Sequence, residues 1–87
     1  MKLVSYKTFY PIELFGVYFD IPVNTRIITL DSNSGYIYAW ITDDEIDIVE
    51  EYGFWFCNSS DAILIGKCKE NTDYDWRKPL WVAEWVV

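Results

Sequence analysis

Apolar positions along this chain recur at short intervals and are filled mainly by Val, Ile, Tyr, Phe, Trp and Thr, and no segment holds a helical period over helical length. β-Branched and aromatic side chains suit a pleated surface, and period-two alternation puts them on one face of it. The pattern predicts an all-β chain, or a β-rich α+β one, with at most one short helix. Five to seven short strands are expected, over residues 2–9, 15–20, 25–30, 36–42, 52–57, 62–67 and 80–86.

In the fourth segment Tyr36, Tyr38 and Trp40 share one face and Ile37, Ala39 and Ile41 the other. Neither face is polar, so this strand is expected at the centre of a sheet, covered on both sides. The last segment sets Trp81, Ala83 and Trp85 against Val82, Glu84 and Val86, with Glu84 marking a wetter side. Asp31-Ser32-Asn33-Ser34-Gly35 reads as a hairpin connection in which Asn33 or Gly35 supplies a positive φ and Asp31 bonds the backbone two residues on. Pro11, Pro22 and Pro79 are expected just before or between strands, where a missing N–H leaves the ladder intact. Residues 43–51 leave two conformations open. They form one or two helical turns capped by Asp43 or Asp44, or an acidic loop with an irregular strand in which Ile46 and Ile48 share a face.

At 87 residues the chain holds one domain, 1–87, expected as a small barrel or a strongly bent antiparallel sheet. A chain of this size buries only about 60–65% of its unfolded surface, so the core must be dense. Five Trp, seven Tyr and five Phe supply that density.

Charge is distributed unevenly. Between Arg26 and Lys67 there are eight acidic residues and no basic one, whereas the remainder carries six acids against seven bases. Such a chain is repelled by nucleic acid phosphates and anionic membrane surfaces and attracted to cationic patches on other proteins. Asp43, Asp44, Glu45, Asp47, Glu50 and Glu51 are the candidate contact surface for a protein with a basic patch. Carboxylates two strand residues apart stand about 6.6 Å from one another, a spacing that meets successive Lys or Arg side chains. The plainer reading of the same run is a solubilising face.

Several chemistries are disfavoured. There is no histidine, and Cys57 and Cys68 stand too far apart to begin a zinc site, so no metal, no cofactor and no catalytic residue is expected. The four glycines stand singly, without a phosphate-cradling loop. No secretory signal is expected, because no long apolar run follows Lys2, and the apolar runs fall short of the roughly 20 residues that span a bilayer. The expectation is a soluble, cytoplasmic, non-enzymatic protein whose cysteines are buried thiols, with a regulatory disulfide as the alternative.

A second constellation gathers Lys67, Lys69, Arg77 and Lys78 near Tyr74, Trp76 and Trp81. Cations beside aromatic rings stack a base and hold a phosphate, so the Trp76-Arg77 region is the alternative ligand site, for a small nucleotide. Arg77 and Lys78 pairing with Asp73, Asp75 or the acidic middle is its plainer reading. A third possibility is a virion or assembly component that uses exposed aromatics to build a homo-oligomer.

The Ile21-Pro22 entry, the Asp31-to-Gly35 turn, Tyr36-Ile37-Tyr38-Ala39-Trp40, Phe54-Trp55-Phe56, Ile65-Gly66 and Asp75-Trp76-Arg77-Lys78-Pro79-Leu80 together resemble a family of small tailed-phage and prophage proteins. The resemblance covers residues 15–80. This turn is longer than that family's Asp-x-x-Gly, and Pro79 stands where the family has a small polar residue. The resemblance implies a phage accessory protein acting in the cytoplasm of an infected cell. By analogy with other small acidic products of accessory phage genes, it also implies binding that blocks or modulates a host or defence protein. It carries no catalytic residues to this chain.

Overall fold

The computed structural model describes residues 1–5, 8–42, 44–58, 61–69 and 74–86. Among them are eight strands: β1 (Phe9–Leu14), β2 (Val17–Pro22), β3 (Ile27–Leu30), β4 (Tyr36–Trp40), β5 (Asp47–Val49), β6 (Phe54–Phe56), β7 (Ala62–Lys67) and β8 (Trp81–Val82). They form a β1-β2 hairpin, a four-stranded sheet of order β7-β4-β3-β8 and a β5-β6 hairpin, all antiparallel. The protein is all-β, and no described residue is helical. Of the two expected architectures the barrel is not formed, because the three sheets stay separate and open.

The register shows why they stack. In the β3-β4 pair, Ile28 meets Ala39 and Leu30 meets Ile37 on one face, while Ile27 meets Trp40 and Thr29 meets Tyr38 on the other. The first face is closed by the β1-β2 hairpin, whose Tyr10, Ile12, Leu14, Phe19 and Ile21 alternate towards it and pack with Ile28, Leu30, Ile37 and Ala39. The second is closed by the β5-β6 hairpin through Ile48 and Trp55, which pack with Trp40 and Cys57. The result is three layers with a core on each side of β4. That strand is central, as the absence of a polar face requires. Trp40 is buried, and its ring N–H donates to Thr29 Oγ1 across the strand pair at 2.8 Å, so its one polar group is satisfied inside the core.

The β1-β2 connection is the two-residue loop Phe15-Gly16, with φ of 52° and 81°. Two successive positive values make the primed turn whose twist matches its strands. Phe15 is the only described non-glycine residue with positive φ, and its ring stays mostly exposed, edge-on to Tyr74 at 5.6 Å.

Several sequence expectations shift. The first strand covers 9–14 rather than 2–9, and residues 1–5 are exposed; Tyr6 and Lys7 lie outside the described residues. Pro11 falls inside β1 and Pro22 ends β2. Both are tolerated because each strand of this hairpin has a partner on one side only. The second strand starts at Val17, since Phe15 and Gly16 are its turn. The last strand shortens to Trp81–Val82, leaving Trp85 exposed and Ala83 buried. Of the 43–51 segment, the described residues 44–51 take the extended alternative, with β5 within them. Cys57 and Cys68 are thiols in different cores, the first buried and the second half-buried.

Trp40→Ala should destabilise the protein by about 3–5 kcal/mol in denaturant unfolding, and an unchanged midpoint would show that the second core does not depend on this ring. Phe15→Asn should raise stability by about 0.5–1 kcal/mol, because a left-handed bulky residue costs about 1–2 kcal/mol and Asn suits the turn. A fall would mean that the ring contact with Tyr74 outweighs the strain.

Candidate functional site

The β5-β6 hairpin is built by alternation. Asp47 pairs with Phe56 and Val49 with Phe54, so these four point away from the core to which Ile48 and Trp55 commit their strands. Its turn, Glu50 to Gly53, is closed by the N–H groups of Tyr52 and Gly53, which both donate to the Val49 carbonyl. Asp44, Glu45, Asp47, Glu50 and Glu51 are all exposed, as are Tyr52 and Phe56, and Tyr52 stacks with Phe54 at 6.3 Å. In the strands themselves one carboxylate, Asp47, shares its outward side with the rings of Phe54 and Phe56. Asp43, the remaining acid of the expected set, lies outside the described residues.

The turn before β4 locks onto this hairpin. Asn33 N–H donates to the Gly53 carbonyl at 3.1 Å, Ser32 Oγ to the same oxygen at 3.3 Å, and Trp55 N–H to Asp31 Oδ1 at 3.0 Å. Gly53 has φ of 72°, a left-handed conformation that favours glycine, and a Cβ there would stand 2.4 Å from Ser32 Oγ and displace the hydroxyl from its bond to the Gly53 carbonyl. Gly35, not Asn33, supplies the positive φ of the β3-β4 turn, at 77°. Asp31 also departs from expectation. Its carboxylate reaches across to β6, where it accepts from Trp55 N–H, and thereby joins two layers.

Beside this junction a cavity of about 320 Å³ opens between the Leu30–Gly35 segment, Cys68-Lys69 and Tyr74/Trp76. Trp76 is fixed by its carbonyl, which accepts the ring N–H of Trp55 at 3.0 Å, and Tyr74 by its hydroxyl, which donates to the Pro79 carbonyl at 2.7 Å.

The second constellation is divided by the fold. Trp76 and Lys69 line the cavity. Arg77 lies over the Trp76 ring at 5.2 Å but pairs through Nε with Glu50 and reaches Asp75 at 3.6 Å. Its guanidinium is held above the usual arginine range, first by the hydrogen bond to Glu50 and then by that carboxylate's charge. Lys67 lies over Tyr36 at 5.4 Å, at the end of β7, and Lys78 is exposed, its backbone N–H donating to the Asp75 carbonyl at 3.0 Å. Asp73 lies outside the described residues. The plainer expectation for Arg77, pairing with Asp75 and the acidic middle, is what the fold contains.

Asp31, the Ser-Asn-Ser-Gly turn and Cys68 were not expected at a site. Turn chemistry was the whole of their local signal, and only the packing of three layers turns Asp31 inward. Burial pushes its carboxyl above the usual aspartate range, against the smaller opposing effect of the Trp55 hydrogen bond. Comparison with protein-family models, curated proteins and solved structures finds no match for this chain.

Because Asp31 holds its proton more tightly when folded, the cost of its charge is fully present at neutral pH and disappears as pH falls through the raised value to below the ordinary 3.8. Asp31→Asn keeps an acceptor for Trp55 N–H. Its melting temperature at pH 7 should equal or exceed wild type, and any excess should close on acidification. A loss of more than about 1 kcal/mol at pH 7 would show that the charged hydrogen bond outweighs desolvation.

Proposed function

We propose that this protein acts by binding another protein, with the outward face of the β5-β6 hairpin as its contact surface and a cationic surface as the counterpart. The observation that carries the reading is the β5-β6 register. It turns Asp47, Val49, Phe54 and Phe56 to one side, continuous in sequence with the exposed Glu50, Glu51 and Tyr52 of the turn. Protein interfaces pair aromatic anchors, which supply affinity, with charges at the rim, which steer encounter and select partners. Both occur here on a small hairpin whose opposite face is committed to the core.

The phage and prophage resemblance supplies the context: a non-enzymatic accessory protein that inhibits or modulates a host or defence protein. A small-nucleotide site on Trp76-Arg77 is less favoured, because the Arg77 guanidinium is already paired with Glu50 and Asp75.

The test compares tagged wild type with an Asp44→Lys, Glu45→Lys, Glu51→Lys variant. Stability should change by no more than about 0.5 kcal/mol per site. Partners captured by wild type from infected cells should be lost by the variant, and for a purified partner the on-rate should fall about tenfold or more, as it does for wild type in high salt. Phe56→Ala should instead speed dissociation. Equal binding by the triple variant would overturn the acidic-surface reading.

A further inference from the structure

The strongest feature outside the acidic hairpin face is the cavity of about 320 Å³, a size at the lower end of small-ligand pockets. Its lining combines Asp31, a residue 9% exposed, with Tyr74 and Trp76, both half-buried, and the exposed Lys69. Among the described residues no lysine or arginine pairs with Asp31. A buried carboxylate without a cationic partner is costly. A guanidinium or ammonium group entering the cavity would supply a counter-charge, and the Tyr74 ring, with the part of Trp76 that Arg77 leaves open, would add cation–π attraction around it.

The cavity also adjoins the proposed contact surface. Ser32 and Asn33, which line it, bond the carbonyl of Gly53 in the acidic turn, and Glu50 of that turn holds Arg77 next to Trp76. A protein resting on Glu50, Glu51 and Tyr52 therefore lies beside the cavity. We propose that the cavity receives one Arg or Lys side chain of the partner, the carboxylate of Asp31 facing its charge and Tyr74 and Trp76 flanking it. This rests on the reading of the acidic hairpin as a protein-binding surface, and makes the cavity the part of that surface that selects the partner's residue. The competing occupant is an anion held by Lys69, a nucleotide phosphate for example, and Asp31 stands against it.

The two occupants predict opposite signs for one exposed residue. N-Acetyl-arginine amide, its neutral isostere N-acetyl-citrulline amide and adenosine monophosphate are titrated into the intact protein, with Trp fluorescence and the Trp76 and Tyr74 NMR resonances as readouts. The arginine amide should bind in the millimolar range and move both sets of resonances, and the citrulline amide should bind about tenfold more weakly or not at all. Asp31→Asn, its fold verified by melting, should weaken the arginine amide about tenfold, while Lys69→Ala should tighten it severalfold. Nucleotide binding that Lys69→Ala weakens, or an arginine amide indifferent to both substitutions, would overturn the proposal. Silence of every probe, with the triple charge reversal still abolishing partner binding, would remove the cavity and leave the acidic surface standing. Arginine-amide binding with reversal-insensitive partner binding would retain the cavity as a cation site and remove the acidic surface.

Discussion

The four-stranded sheet has no polar face, and the rest of the architecture follows from that constraint. Ile28, Leu30, Ile37 and Ala39 must leave water on one side, and Trp40, with Thr29 beside it, on the other. A single covering layer would leave a large apolar surface exposed. The chain supplies two covers, each a two-stranded hairpin, one before the sheet in sequence and one inserted between β4 and β7. Neither hairpin would be stable by itself. Each holds its shape because its inward residues complete a core that the sheet has half built.

The insertion of the second hairpin has a further consequence. Its chain must leave the sheet after Trp40 and return at Ala62, and its turn comes back against the β3-β4 turn. Two polar turns then meet where the layers end, and they are joined by backbone and side-chain hydrogen bonds rather than by apolar packing. Asp31 is drawn inward by the N–H of Trp55, which would otherwise lack that acceptor. Turns joined in this way do not fill space as densely as a core does, and the cavity lies alongside them. The buried carboxylate and the cavity are therefore products of the same layering.

Charge follows the same division. The inserted hairpin spends its inward positions on Ile48, Trp55 and their neighbours, so all its acids face water, where their desolvation cost is least. Arg77 lies across the hairpin's edge and neutralises part of that surface at Glu50. What remains is an acidic face bearing aromatic rings, a combination that solubility alone does not require.

Much of the fold was legible in the sequence because it depends on local alternation. The β-rich class, the central place of Tyr36–Trp40, the turn from Asp31 to Gly35 and the exposure of the described acids between Asp44 and Glu51 can all be read from side-chain type and its local pattern. Boundaries were less legible. Pro11 and Pro22 signal breaks, yet they sit in a hairpin with free edges, and Phe15 occupies a left-handed turn that its side chain disfavours. The candidate site was legible only in part, since Lys69 and Trp76 do meet at one cavity while Lys67 and Arg77 are engaged elsewhere. The sequence by itself determined which residues had to be buried and which could carry charge, because transfer from water is a property of each side chain. Only the tertiary structure decided that Asp31 turns inward, that Arg77 meets Glu50 and that a cavity opens beside them. Those are pairings between residues distant along the chain, and no local pattern encodes them.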